Sequence, residues 1–354
     1  MGFPSIRIAK ADFRDSECLN ERRPSIAESY YMSVTSWLFN QLGRIPRRPR
    51  ILLLVDYRGW AFDNSAQEIA QELSSDFEFD IRYVNDSPKP KLKAKQYDLI
   101  YVFFWGETYH QQFGFKPSRT IKEVSSHRWE DDPRFGPCSA EEMVKKYLQD
   151  AETVICTSER LCRIIEPYCA RTFLTPNGIC TDKFHCLNER SGALTFGWAG
   201  NISDPVKGVH DILQPACEGL VELQMAPGGV SHDQMNAFYN QLDVFLVASR
   251  HEGEPLTLVE AMAAGCFPVC SNVGIVPELI QHEVNGLIVE PRTPDGFRRA
   301  LLWCCENAHH VRAVGKENAK RMIAGRNWST ASKRFKAVFD NTLAYADTFS
   351  KGKG

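Results

Sequence analysis

Residues 250–270, RHEGEPLTLVEAMAAGCFPVC, leave this chain few choices of fold. An apolar run at 243–249 precedes them and a second, 267–270, closes them. Between the runs Leu256, Val259, Ala263 and Ala264 recur at helical spacing, and Gly265 is a good C-terminal stop. The stretch therefore reads as strand, turn, helix, strand, with Pro255 suited to a first helical turn. Two carboxylates flank the turn and helix: Glu252 before the helix and Glu260 about two turns along it.

The same alternation runs through most of the chain. Residues 51–55, ILLLV, form a continuous apolar run of the kind found in parallel sheets buried on both faces. Further strands are expected at 79–84, 97–105, 120–125, 153–157 and 172–175, with helices at 65–73, 140–148 and 159–166 between them. A second series starts at 194–198 and continues with strands at 220–225, 243–249, 267–270 and 287–289. Its helices are expected at 210–218, 232–240, 276–281, 294–308 and 311–323, and a last helix at 329–349. This order predicts an α/β fold of two Rossmann-like, doubly wound domains whose strand ends face each other across a cleft. At 354 residues the chain can fill two cores. The expected divisions are an N-terminal extension with a helix (1–48), a first domain (49–186), a second domain (187–328), and a closing helix and tail (329–354) that packs back towards the first domain.

Composition excludes several alternatives. With 43% hydrophobic and 24% charged residues the chain is that of a soluble globular protein. A formal net charge of -2 gives no bulk attraction for nucleic acid. Apolar runs fall short of the roughly eighteen residues a membrane span needs. Arg7, Lys10 and Asp12 interrupt what would be a leader, so a cytoplasmic location is expected. The twelve cysteines form no C-x-x-C pair; Cys266 with Cys270, and Cys304 with Cys305, lack a second half at zinc-like spacing. They read as reduced core cysteines. Residues 25–42 suit a helix capped by Ser25 and Glu28, with Tyr30, Tyr31, Val34 and Trp37, followed by the basic GRIPRRPR. Two readings stay open for it: packing on the first domain, or peripheral contact with the inner face of a membrane.

Two glutamates eight positions apart are common and prove little alone. Their context adds chemistry. Gly253 and Pro255 make a tight turn into a helix whose free N–H groups suit an anion. Glu252 would repel a phosphate there, and accepts hydrogen bonds from sugar hydroxyls more readily.

The pattern E-G-x-P-L-x-x-x-E-A-M-A-x-G resembles the nucleotide-sugar site of retaining glycosyltransferases of family 4, which have the GT-B fold. Other marks agree. Thr175, Pro176, Asn177, Gly178 and Ile179 with Phe184 resemble the interdomain element, although Cys180 stands where an aspartate is usual. Gly200 through Lys207 and Gly208 resembles the loop that holds the donor diphosphate. Residues 239–249, 274–278 and 285–289 resemble the following strand and turn elements, and Asn327 and Trp328 the start of the closing helix. The likeness is specific over 175–345 and rests on element order alone over 50–175.

The resemblance implies roles. Glu260 would bind the ribose hydroxyls, Glu252 would lie at the transferred sugar, and Lys207 would neutralise the departing diphosphate without a metal. Gly200, Asn201, Gly208, Gly253, Glu254, Pro255, Leu256, Arg250 and Gly274 complete the expected donor site, and backbone N–H groups of 274–276 can add to it. Asn201 replaces an arginine common in the family and carries no charge, so Arg250 or Arg58 is expected to stand in. His127, directly after a strand, would face the donor sugar. The acidic run Glu130, Asp131, Asp132 reads as a solvated loop, and no metal is expected. The segment 207–232 is short, so one strand–helix unit of the second sheet is expected to be missing; 227–231 is the expected base-contacting loop. On the acceptor side Gly59, Trp60 and Trp105 are the expected contacts, as aromatic stacking platforms or as core.

The expected activity is transfer of a hexose from a nucleoside diphosphate sugar, UDP- or GDP-linked, to a hydroxyl of a glycan or glycolipid with retention of configuration. Synthesis of a cell-surface polysaccharide or a lipopolysaccharide-type glycan is the expected setting. A non-catalytic sugar-nucleotide-binding protein and a GT-B epimerase are the alternatives; a phosphorylase would need a further basic pocket that the sequence does not offer.

Overall fold

A computed structural model describes residues 47–351, residues 188 and 229 excepted. The helix expected at 25–42 lies outside the described residues. From residue 48 on, the described residues form one compact unit built on two parallel sheets.

The first sheet contains β1 (Arg50–Val55), β2 (Glu78–Tyr83), β3 (Leu99–Val102), β4 (Thr120–Val124), β5 (Thr153–Cys156) and β6 (Thr172–Leu174), in the order β2-β1-β3-β4-β5-β6. The second contains β7 (Phe196–Ala199), β8 (Leu223–Ala226), β9 (Val244–Val247), β10 (Phe267–Ser271) and β11 (Leu287–Val289), in the order β11-β10-β9-β7-β8. Every pairing is parallel, as continuous apolar strands such as Ile51 to Val55 require when both faces are covered. Five strands stand in the second sheet against six in the first, in keeping with the short 207–232 segment.

Each sheet changes direction once, between β1 and β3 in the first and between β7 and β9 in the second. Loops leaving adjacent strands at such a point diverge to opposite faces and open a crevice at the carboxyl ends. In the second sheet those loops begin at Gly200 and at Ala248, and they carry Lys207 and Glu252.

Core clusters cover both faces of the second sheet. Leu258, Met262 and Tyr239 pack on one, and Ile212, Phe297 and Leu301 on the other. Between β7 and β8 the chain makes a widened π-type turn, Val209–Leu213, before a short helix, Gln214–Cys217. A continuous α-helix was expected there. Pro215 has no N–H to give, and a wider turn relieves its clash with the preceding carbonyls.

The closing helix, Trp328–Lys351, returns to the first sheet as expected. Phe335, Val338 and Phe339 are buried there with Phe77 and Tyr101, each such side chain stabilising the docking by about 1.5–3 kcal/mol. The chain thus crosses between the sheets twice, at 175–180 and at 326–328. The crossings touch: Ile179 N donates to Arg326 O at 2.7 Å, and a Cβ on Gly178 would come within 2.7 Å of the Trp328 Cα.

Candidate functional site

Glu252 sits in the loop after β9, before the helix Leu256–Ala263. That helix starts at Leu256 with Pro255 capping it, and ends where Gly265 turns to a positive φ of 89°. Gly253 has no room for a side chain: a Cβ there would collide with Ser125 O and Thr157 Oγ1 of the first sheet's loops. Gly274 presses on the same turn from behind, and Ile275 N donates to Gly253 O at 2.8 Å. The Gly253 backbone is therefore a point of close contact between the two sheets' loops.

Lys207 reaches the same place from the loop after β7. Its Nζ lies 2.6 Å from Glu252 Oε1. Gly208, at φ +71°, turns the chain just behind it, and a side chain there would strike Ala248 O and the Arg292 guanidinium. The Asn201 side-chain oxygen accepts from Ser203 N at 3.0 Å, and Asp204 accepts from Val206 N at 3.1 Å, so both shape this loop. Gly200, with a φ of +150°, begins it.

Glu260 lies just over one turn into the helix and is held by two donors. Tyr239 Oη donates to its Oε2 at 2.8 Å, and His232 Nε2 is 3.2 Å from its Oε1. Glu260, Leu256 and His232 line a small open cleft with Phe184, Cys180 and Ser65. A carboxylate fixed in this way still has lone pairs for ligand hydroxyls.

His127 follows β4 and faces the second sheet. Its ring packs edge-on against His251, with centroids 4.4 Å apart. Burial, then the neighbouring His251 and Arg160, pushes its pKa down to about 4, so the imidazole is neutral at pH 7.

Several expectations are corrected. Glu254 is not open to a donor: its carboxylate is 1% exposed, accepts from Asn177 N at 2.7 Å and Asn177 Nδ2 at 2.9 Å, and pairs with Arg326. It ties together both chain crossings. Trp105 is fully buried, edge-on to Trp129 with centroids 5.7 Å apart and 82° between planes, so it is core and no stacking platform. Trp60, in contrast, is 55% exposed beside Gly59, with Tyr57 at 5.0 Å between centroids. In the acidic run after His127 only Glu130 is exposed to solvent; the two aspartates are engaged. Asp131 binds Arg250 Nε at 2.7 Å and His251 Nε2 at 2.8 Å, and Asp132 binds Arg134 at 2.6 Å. Arg250 is thus engaged with the first sheet's loop, and Arg58 pairs with Asp86 at 3.0 Å and covers the Tyr83 ring.

Two cations escaped the sequence reading. Arg292 follows β11, donates to Ala248 O at 2.6 Å, and lies against Gly208 with its Nη2 3.6 Å from Asp211 Oδ2. Arg128 pairs with Asp204 at 2.6 Å across the sheets. Neither belongs to a motif, and only the fold brings them to the Lys207 loop.

Comparison with known proteins follows this geometry. Residues 218–322 match the family model for glycosyl transferases group 1. The match includes Glu252 and Glu260 and stops short of Lys207. An uncharacterized glycosyltransferase of Methanocaldococcus jannaschii is 43% identical over 91 residues, 25% of this chain and 23% of that protein. A GDP-mannose-dependent alpha-(1-6)-phosphatidylinositol monomannoside mannosyltransferase of Mycobacterium tuberculosis is 31% identical over 124 residues, 33% of this chain and 30% of that protein. The alignments thus span less than a third of these relatives. In fold the likeness is wider. Sucrose-phosphate synthase from Thermosynechococcus elongatus superposes with a TM-score of 0.66 at 17% identity, over 83% of this chain and 99% of that one. Anabaena HepE, solved with UDP and glucose, gives 0.60 at 15% identity over 83% of this chain and 100% of that one. The two sheets are those of a GT-B glycosyltransferase fold, and the matched segment carries β8 to β11 of the second of them. Among the described residues no helix is long and apolar enough to cross a membrane.

Proposed function

We propose that this chain transfers a hexose from a nucleoside diphosphate sugar to a hydroxyl of a glycan or glycolipid acceptor, with retention of configuration, in the synthesis of a cell-surface polysaccharide or similar glycan. The observation that carries the reading is the Lys207–Glu252 pair, set at the strand reversal of the second sheet and facing His127 of the first. A departing nucleoside diphosphate gains negative charge, and a fixed ammonium stabilises it without reorganisation. Lys207 takes that role, with Arg292 beside it where Asn201 brings no charge. Glu252 accepts hydrogen bonds from the transferred sugar, and Glu260 from the ribose. Neutral His127 can donate to or accept from a sugar hydroxyl. A leaving phosphate oxygen takes the acceptor's proton on the same face, so no separate base is needed. Trp60 and Gly59 stand on the acceptor side. The GDP-mannose-dependent relative favours GDP-mannose, and UDP in HepE keeps UDP-hexoses as the second donor class.

The test is release of GDP or UDP from a panel of nucleotide hexoses by the full chain, with and without glycolipid acceptors, and NMR of the product anomer. Turnover lost in Lys207→Ala with donor binding retained supports the reading. Tight donor binding without turnover on any acceptor would make the chain a binding module, and an altered free donor sugar would make it an epimerase.

A further inference from the structure

The seam between the sheets holds an unused set of metal ligands. One donor atom each from His127, Glu130 and His251 lie within 4.8 Å of one another. The two histidines are 9% and 4% exposed, and the Nδ1 of each has no hydrogen-bond partner. A buried imidazole nitrogen left bare is costly, by about 1–3 kcal/mol, and asks for a ligand. Asp131 settles the His251 tautomer: its Oδ1 lies 2.8 Å from Nε2, and Arg250 steadies its other oxygen at 2.7 Å. A carboxylate on one ring nitrogen, with the other nitrogen bare, is the arrangement that supports metal-bound histidines. Glu130 is exposed, which leaves access from solvent and a position for water. We propose that His127, His251 and Glu130 bind a borderline divalent cation of the Zn²⁺ class, which staples the loop after β4 to the loop after β9. Ligand atoms around a tetrahedral zinc stand about 3.4 Å apart, so the side chains need move only by about 1 Å to close on it. Because His127 also faces Glu252, the ion excludes the transferred sugar; this consequence, inhibition by the metal, rests on the function proposed above.

The binding test needs no turnover. The full chain, freed of metal, is titrated with Zn²⁺ against a chromophoric chelator, and with Co²⁺ to read the ligand type. One saturable ion is expected, with a Co²⁺ spectrum lacking thiolate charge transfer. Affinity should fall at least 100-fold in His251→Gln, and about 10- to 100-fold in Glu130→Gln and Asp131→Asn. Absence of saturable binding, binding unchanged in His251→Gln and Glu130→Gln, or a thiolate spectrum would overturn the site. Glu130→Gln changes an exposed residue and should fold normally. With a working donor, Zn²⁺ should inhibit the wild type reversibly and leave Glu130→Gln active. Undiminished turnover with the ion bound would overturn the inhibition. Failure of every donor would count against the proposed activity, while the chelator titration still decides the metal site.

Discussion

Lys207 Nζ and Glu252 Oε1 stand 2.6 Å apart, one on the loop after β7 and the other on the loop after β9. Forty-five residues separate them in sequence, and the reversal of strand order makes them neighbours. In the proposed reaction the donor diphosphate takes the place of the Glu252 carboxylate at this ammonium. Lys207→Ala should lower turnover by about 10²–10³-fold with a melting temperature close to wild type, as measured by nucleotide release and thermal denaturation. A loss below tenfold would remove Lys207 from the leaving-group site.

Gly253 sets how closely the sheets approach. Gly253→Ala would drive a methyl group into Ser125 O and Thr157 Oγ1. Backbone and a packed hydroxyl cannot give way cheaply, so the seam should open. Small-angle scattering should show a larger radius of gyration, and donor turnover should fall. An unchanged scattering profile would show that the seam does not depend on this contact.

Glu254 and Arg326 pair in the interior, at 1% and 15% side-chain exposure. Arg326→Ala leaves a buried carboxylate uncompensated and should cost about 3–5 kcal/mol in urea denaturation. The donor KM should stay near wild type, because Glu254 ties the crossings and does not face the cleft. A large KM change at unchanged stability would return Glu254 to the donor site.

Trp105 and Trp60 divide what the sequence left joined. Trp105→Ala should cost about 3–5 kcal/mol as a core deletion. Trp60→Ala should change stability by less than about 0.5 kcal/mol and raise the acceptor KM. The reverse pattern would exchange their roles.

Glu123 is buried under Tyr101, whose hydroxyl donates to it, and burial raises its pKa from 4.5 to about 8. The folded protein therefore holds a proton between those values that the unfolded chain releases. Stability from this group is complete below pH 4.5 and is lost as pH rises through about 8. Glu123→Gln should flatten the fall in melting temperature across that window and leave the variant a few degrees more stable at its upper end. A wild type with no such fall would contradict the assignment.

Local sequence determined the elements and the axial placement of Glu252 and Glu260, because apolar runs, a Gly–Pro turn and helical spacing are properties of neighbouring residues. It also determined the parallel α/β class, since strands such as β1 are apolar on both faces. Tertiary structure alone decided which charges meet. Glu254 and Glu252 are two residues apart in the same turn, yet one is buried against Asn177 and Arg326 and the other faces Lys207. Trp105 and Trp60 are both aromatic residues near strand ends, and only packing sends one to the core. His127 with His251, and Arg128 with Asp204, come from different sheets, and no pattern in either segment encodes the partner. Periodicity is written over a few residues, whereas desolvation and charge pairing depend on what the rest of the chain brings alongside.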